Sequence, residues 1–143
     1  MKVDKPNNDL SAYINQNCSP LQTVLDIDIV QFKEFPDQVK PKIRVIRFIE
    51  YKHTSEPIRN SQVKFFPILK NLFTWLNQAY NDHLSFIDLH YKFELFLIMA
   101  DPPFNEAQVY NYLNDEEKQM IQPDFNRFLN LEIDYFGNKY YLT

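Results

Sequence analysis

Four groups of residues carry side chains that could do chemistry. Asp101-Pro102-Pro103-Phe104 closes a long apolar stretch, His53-Thr54-Ser55 and His83-Leu84-Ser85 are both H-x-S strings, His90 follows Asp88 by two residues, and Cys18 stands alone. A histidine titrates near neutral pH and can act as acid or base, so the two H-x-S strings are the chain's candidates for proton transfer. Residues two apart on a strand point the same way, which lets Asp88 and His90 present two metal ligands on one side. No third ligand is identifiable, and an exposed polar strand face explains the pair better, so no metal site is assigned. With one cysteine there is no internal disulfide and no cysteine-cluster metal site, and Cys18 reads as a buried or idle thiol.

Two of these groups resemble known families. Asp101-Pro102-Pro103-Phe104, delivered by a buried strand, resembles the D-P-P-[YF] motif of methyltransferases that act on exocyclic amino groups. The resemblance implies that Asp101 and Pro102 hold the amine and that Phe104 stacks on the base. Those enzymes bind S-adenosylmethionine over a glycine-containing loop after their first strand, and this chain has no such loop. A double proline also ends a strand with no catalytic role, while Asp101 or Asn105 begins the next helix. The H-x-S strings resemble the paired motifs of two-histidine phosphoesterases, in which both imidazoles serve as acid and base; only His83-Leu84-Ser85-Phe86 fits the full pattern.

The single glycine, Gly137, excludes more than any motif includes. A loop that cradles phosphate needs several glycines, because its backbone must approach the ligand closely and adopt positive φ. A Walker loop, a dinucleotide fingerprint or a nucleophile elbow cannot be written in this chain, and no cofactor is expected. The net charge is -4 and the 15 basic residues are scattered, which disfavours direct nucleic-acid binding. The start, MKVDKPNNDL, lacks an apolar signal region and no run is long enough to span a bilayer, so a cytoplasmic protein is expected.

The elements that position these residues follow from hydrophobic periodicity. Residues 1–8 read as a flexible arm, and 9–143 as one domain. Leu10, Tyr13 and Ile14 share a face of a short helix through Asn17. A strand is expected from about Thr23 to Phe35, with a bulge near Ile29-Val30. KIRVIRFIEYK, Lys42 to Lys52, reads as the next strand, pairing its basic residues with acidic ones of the first in a hairpin; a helix is the competing reading, because the apolar phase slips at Ile46 and Ile49. Leu69, Leu72, Phe73, Leu76 and Tyr80 predict a helix over 61–82 with Pro67 in its first turn. From Phe86 to Met99 apolar residues alternate with Asp88, His90, Lys92 and Glu94, predicting a strand wet on one face in its first half and covered on both in its second. Asn105 and Gln108 resemble a capping box opening a second long helix that carries Val109, Tyr112, Leu113 and Met120. After Gln122-Pro123 come a short helix through Phe125, Phe128 and Leu129, and a hairpin turning at Gly137-Asn138.

The fold class expected is α+β: an antiparallel or mixed sheet of about five strands against two long helices and one or two short ones. The 13 Phe and 9 Tyr exceed what one core stripe requires, and some are expected to form a partner-binding patch. Acidic balance with aromatic anchors and no catalytic motif favours a small binding protein over an enzyme. Its expected mode is stoichiometric association with another protein of basic surface, as for immunity proteins, phage-encoded inhibitors or secretion chaperones. The residues expected to carry it are Trp75 and Tyr80 as anchors with Asp82, Asp88, Glu116 and Glu117 as rim carboxylates. The alternative is a degenerate or partner-completed amino-group methyltransferase-like protein using Asp101, Pro102 and Phe104. Oligomeric state is left open.

Overall fold

In the computed structural model, residues 13, 16–17, 28–35, 42–57, 60–82 and 89–140 are described. They hold strands β1 (Ile29–Glu34), β2 (Lys42–Lys52), β3 (Leu89–Met99), β4 (Glu106–Asn111) and β5 (Glu116–Ile121). They also hold helices α1 (Asn60–Asp82) and α2 (Gln122–Leu129). The strands form one mixed sheet in the order β1-β2-β3-β4-β5. β2 and β3 are parallel and every other neighbouring pair is antiparallel. A parallel pair needs a crossover, and the 23-residue α1 supplies it. The class is α+β.

The strands expected over Lys42–Lys52 and before the double proline are both present. β2 covers the KIRVIRFIEYK run, and β3 carries the LHYKFELFLIM run in register with it, Lys42 opposite Leu89 through Lys52 opposite Met99. The wet face expected on the first half of β3 is corrected: Glu94 is buried, and His90 and Lys92 are half-buried. Their face is covered by α2 and the residues after it. Ile49, Phe96 and Ile98 of the sheet pack with Phe125, Phe128, Ile133 and Tyr135 there.

Arg47 and Glu94 lie directly opposite one another on β2 and β3, on that same covered face. The Arg47 guanidinium donates to the Glu94 carboxylate at 3.1 Å, to the Phe128 carbonyl at 2.5 Å and to the Tyr140 hydroxyl at 2.5 Å. Tyr140 in turn donates to Glu94 at 2.6 Å. Burying a charge costs several kcal/mol unless it is paired and its remaining hydrogen-bonding sites are filled, and this cluster meets both conditions. Arg47 also stacks 3.9 Å from the centre of the Phe128 ring, and its bond to the last turn of α2 places a cation where the helix dipole favours one.

On the opposite face α1 packs along β3. Phe66, Phe73 and Leu95 form the core there, with Phe48, Leu69, Leu76, Phe93 and Tyr112 partly buried against them. Asn77 fixes the axial position of the helix. Its side-chain amide donates to the Phe93 carbonyl at 2.8 Å and accepts from the Phe93 N–H at 2.8 Å. β4 pairs with β3 only from Phe96 to Met99, so Asn77 completes the ladder at Phe93, short of that pairing.

Several expectations are corrected. Of the strand expected from Thr23 to Phe35, Ile29–Glu34 form β1 with no bulge in their ladder, and residues 18–27 lie outside the described residues. α1 starts at Asn60, so Pro67 sits inside the helix and not in its first turn. The second long helix does not form: Glu106–Asn111 and Glu116–Ile121 are a β-hairpin. The alternation Ala107, Val109, Asn111 is buried as a strand face, and this period of two outweighs the capping-box match. Asn114 and Asp115 make the turn, with Asp115 at φ 56°. The terminal hairpin is also absent among the described residues, where 131–140 form turns that bury Leu131, Ile133, Tyr135 and Tyr140. Gly137 does sit at a turn, at φ 84°. Of the 9–17 helix only Tyr13, Gln16 and Asn17 are described, and these are helical. The 1–8 arm lies outside the described residues.

Candidate functional site

Because β2 and β3 run parallel and in register, the residues that follow them emerge side by side. Ala100 donates its N–H to the Lys52 carbonyl at 3.1 Å, which sets His53-Thr54 next to Asp101. The Asp101 carboxylate accepts from the Thr54 hydroxyl at 2.5 Å, from the Thr54 N–H at 3.2 Å and contacts His53 Nδ1 at 3.2 Å. The Thr54 bonds, with the His53 contact added, hold the Asp101 carboxyl below the ordinary carboxylate range. The carboxylate that could grip an amine is thus engaged by the neighbouring loop.

The double proline turns the chain at this point. The Pro102–Pro103 peptide bond is cis, and Phe104 adopts φ 63°, a left-handed conformation that costs an L-residue free energy. Phe104 rests against Tyr51 at 6.1 Å between ring centres, and Tyr51 donates its hydroxyl to the Ala100 carbonyl at 2.9 Å. Two clefts flank the turn. A polar one of about 410 Å³ is lined by Thr54, Asp101, Pro103, Glu106, Gln108 and Gln119 among others. An apolar one of about 350 Å³ has a floor of Ile49, Tyr51 and Ile98, with Phe104, Phe125 and Leu129 on its sides. The carboxyl ends of parallel strands are where sheets of this kind commonly carry ligands.

A second feature lies on α1. Phe66, Phe73 and Asn77 look down on β3, but Phe65, Ile68, Leu72 and Trp75 remain 37%, 62%, 49% and 66% exposed. Their spacing, i, i+3, i+7 and i+10, is the a/d seam of a helix built to meet another helix. Lys70 pairs with Asp115 and Phe66 meets Tyr112 at 4.9 Å, so the β4–β5 side of α1 is identified. At about 100° per residue the seam falls on the other flank, above β2 and β1. There Val30 and Phe32 of β1 are 56% and 54% exposed on the α1 face, and Ile46 and Phe48 of β2 are only half-buried. Phe48, Glu50 and Lys52 of β2 are covered on this face, so the exposed apolar side chains are those of the seam and of β1.

The predicted site residues are divided between these places. Asp101 and Phe104 stand at the turn with Pro102 between them. Trp75 lies on the seam, whereas Tyr80 is half-buried against Tyr91 at 5.6 Å. Glu116 and Glu117 are exposed on β5, at the far edge of the sheet from β1. Asp88 and the side chain of Asp82 lie outside the described residues, as does the His83 string. His90 is half-buried, 6.3 Å from Tyr80, and no cluster of three metal-ligating side chains occurs among the described residues. No described helix is long and apolar enough to cross a membrane.

Two features were missed in the sequence. The His53–Asp101 contact has no local signal, since it exists only because β2 and β3 pair in parallel. The seam did have one: Phe65, Ile68, Leu72 and Trp75 interleave with the buried positions at heptad spacing, and sorting the aromatic surplus by helical phase separates the two sets. No protein-family model, curated protein or solved structure matches this chain.

Proposed function

We propose that the protein acts by stoichiometric association with another protein, through the exposed apolar seam of α1. The observation that carries this reading is the outward seam Phe65-Ile68-Leu72-Trp75, four large apolar side chains aligned on one helix and left in water. Isolated exposed apolar residues are ordinary, but a contiguous stripe on one helix is the composition of an interface. Trp75 is its anchor, since tryptophan is enriched among the residues that dominate binding energy. Glu116 and Glu117 stand at the opposite sheet edge and have no part in this contact, so a basic partner surface is a separate proposal that rests on net charge alone. Immunity proteins, inhibitors and secretion chaperones work by association of this kind. Retrieving the tagged chain from its native lysate tests the reading. A single partner at one-to-one ratio supports it, and a chain recovered alone under conditions that keep it folded counts against it.

A second reading places small-molecule binding at Asp101–Phe104, in the manner of the amino-group methyltransferase-like alternative. It is favoured by the position of the turn at the carboxyl ends of the parallel strands, between two clefts. Calorimetry with S-adenosylmethionine tests it: heat of binding that Phe104→Ala removes supports this reading, and no heat at millimolar ligand ends it.

A further inference from the structure

We infer that the notch beside β3, between Asn111 and Asp134, is a binding site for a small zwitterion of the α-amino acid class. This goes beyond the association proposed above, and the notch shares no residue with the seam or with the double-proline turn. It exists because β4 leaves β3 after Phe96, the residue paired with Asn111. Past that point Asn77 takes up the Phe93 backbone, and a cavity of about 210 Å³ opens beside the strand. At about 30 Å³ per water the cavity equals roughly seven waters, so it suits a compact molecule of about seven to ten non-hydrogen atoms.

Two of the polar side chains lining it, Asn111 and Asp134, are only 6% and 8% exposed. Each has one half of its polar group fixed by backbone. Asn111 Oδ1 accepts the Leu113 N–H at 3.0 Å, and Asp134 Oδ1 accepts the Phe136 and Asn138 N–H groups at 2.9 Å each. Asn111 Nδ2 and Asp134 Oδ2 have no hydrogen-bond partner among the described residues, and neither atom is sealed from solvent. Buried polar groups are ordinarily satisfied, and the cavity is where a partner reaches these two. Lys92 lines the same cavity, with Nζ 5.2 Å from the centre of the Tyr140 ring, and forms no ion pair with Asp134 or with any other described residue. The charge of Glu94 is met by Arg47, so the cavity keeps one positive and one negative group held apart. Asp134 repels a simple anion and Lys92 a simple cation, and no cluster of three metal-ligating side chains occurs among the described residues. A molecule with a carboxylate and an ammonium on one carbon answers both charges. Its carboxylate accepts from Lys92 and the Asn111 amide, and its ammonium donates to Asp134. Phe93, Phe96 and Tyr135 supply an apolar wall for its side chain.

Calorimetry of the full chain with the standard L-amino acids, each at millimolar concentration, tests this. One or a few compact amino acids should give saturable heat. The amide of such a ligand lacks its carboxylate charge and the deaminated acid lacks its ammonium. Each analogue should bind about tenfold or more weakly, the loss expected when a hydrogen-bonded charge is removed. Lys92→Met and Asp134→Asn should weaken the amino acid by a similar factor. Asp134→Asn retains the oxygen that accepts the Phe136 and Asn138 N–H groups, and circular dichroism checks the fold of both variants. Where a variant unfolds, the two analogues decide by themselves. No saturable heat from any amino acid, an analogue that binds as tightly as its parent, or folded variants with wild-type affinity each overturn the inference.

Discussion

Arg47 and Glu94 face one another across the only parallel strand pair among the described residues, 3.1 Å apart and shielded from water. Every acceptor of Arg47 beyond Glu94 comes from a different part of the fold: Gln31 on β1, the Phe128 carbonyl on α2 and Tyr140 past it. Removing one member of a buried pair strands the other, so Arg47→Met should cost about 3–5 kcal/mol in denaturant unfolding. Adding Glu94→Leu to it should recover part of that loss, because the unpaired carboxylate is then gone. Tyr140→Phe deletes hydrogen bonds alone and should cost about 1–3 kcal/mol. A double variant less stable than Arg47→Met itself contradicts this account of the cluster.

Asn77 supplies α1 with a hydrogen-bonded tie to the β3 backbone. Asn77→Ala leaves the Phe93 N–H and carbonyl without that partner and should destabilise by about 1–3 kcal/mol. Amide exchange at Phe93 should accelerate more than at Tyr112, whose N–H donates to the Leu95 carbonyl at 3.0 Å. Equal protection at both positions in the variant contradicts the role given to Asn77.

Neighbouring positions of α1 should behave oppositely. Phe73 is buried, and Phe73→Ala should cost about 3–5 kcal/mol through lost transfer energy and a cavity. Trp75 is 66% exposed, and Trp75→Ala should change stability by no more than about 0.5 kcal/mol. Chemical denaturation of the two variants decides it. A large loss at Trp75 shows that the seam is already covered within the chain.

Alkali should unfold the protein through its buried phenols. Burial first, then Tyr110 and Glu50, push Tyr112 from its ordinary 10.0 up to about 12, and burial beside Glu94 pushes Tyr140 up as well. A group with raised folded pKa holds its proton better in the folded state. Its stabilisation is complete below pH 10.0 and is lost as pH climbs toward 12. Tyrosinate absorbance should therefore show Tyr112 and Tyr140 ionising with loss of structure, after the exposed tyrosines. One smooth titration of all 9 tyrosines near their ordinary value contradicts this.

Acid should loosen the turn at the other end of the sheet. Hydrogen bonds from Thr54 hold Asp101 below its ordinary 3.8, so the contribution of this tie is present above that value and fades as pH falls through the lowered one. Asp101→Asn should speed amide exchange at Thr54 while leaving the midpoint of thermal unfolding almost unchanged. An unaltered Thr54 amide contradicts the assignment.

Period, more than motif, carried the legible part of the fold. β3 was readable because its apolar residues alternate with polar ones up to Leu95 and then run unbroken to Met99, β2 from its β-branched and apolar content despite a phase slip at Ile46 and Ile49, and α2 because Pro123 starts it and Phe125 and Phe128 share a face. The β4–β5 hairpin was hidden by Asn105 and Gln108, which match a helix start while the buried set Ala107, Val109, Asn111 and Met120 keeps strand period. β3 looked half wet because Glu94 is charged; nothing local discloses that Arg47 lies opposite it. That partner is set by the parallel register, a property of the whole sheet. The same register makes the His53–Asp101 contact, so the candidate turn was visible at Asp101–Phe104 and invisible in its other half.

The seam is tested most directly by partner retention in Trp75→Asp. Tagged wild-type and variant chains are taken through the same native lysate, with circular dichroism confirming that both are folded. The account predicts equal thermal midpoints and loss of the one-to-one partner from the variant. Full retention of that partner by folded Trp75→Asp contradicts it.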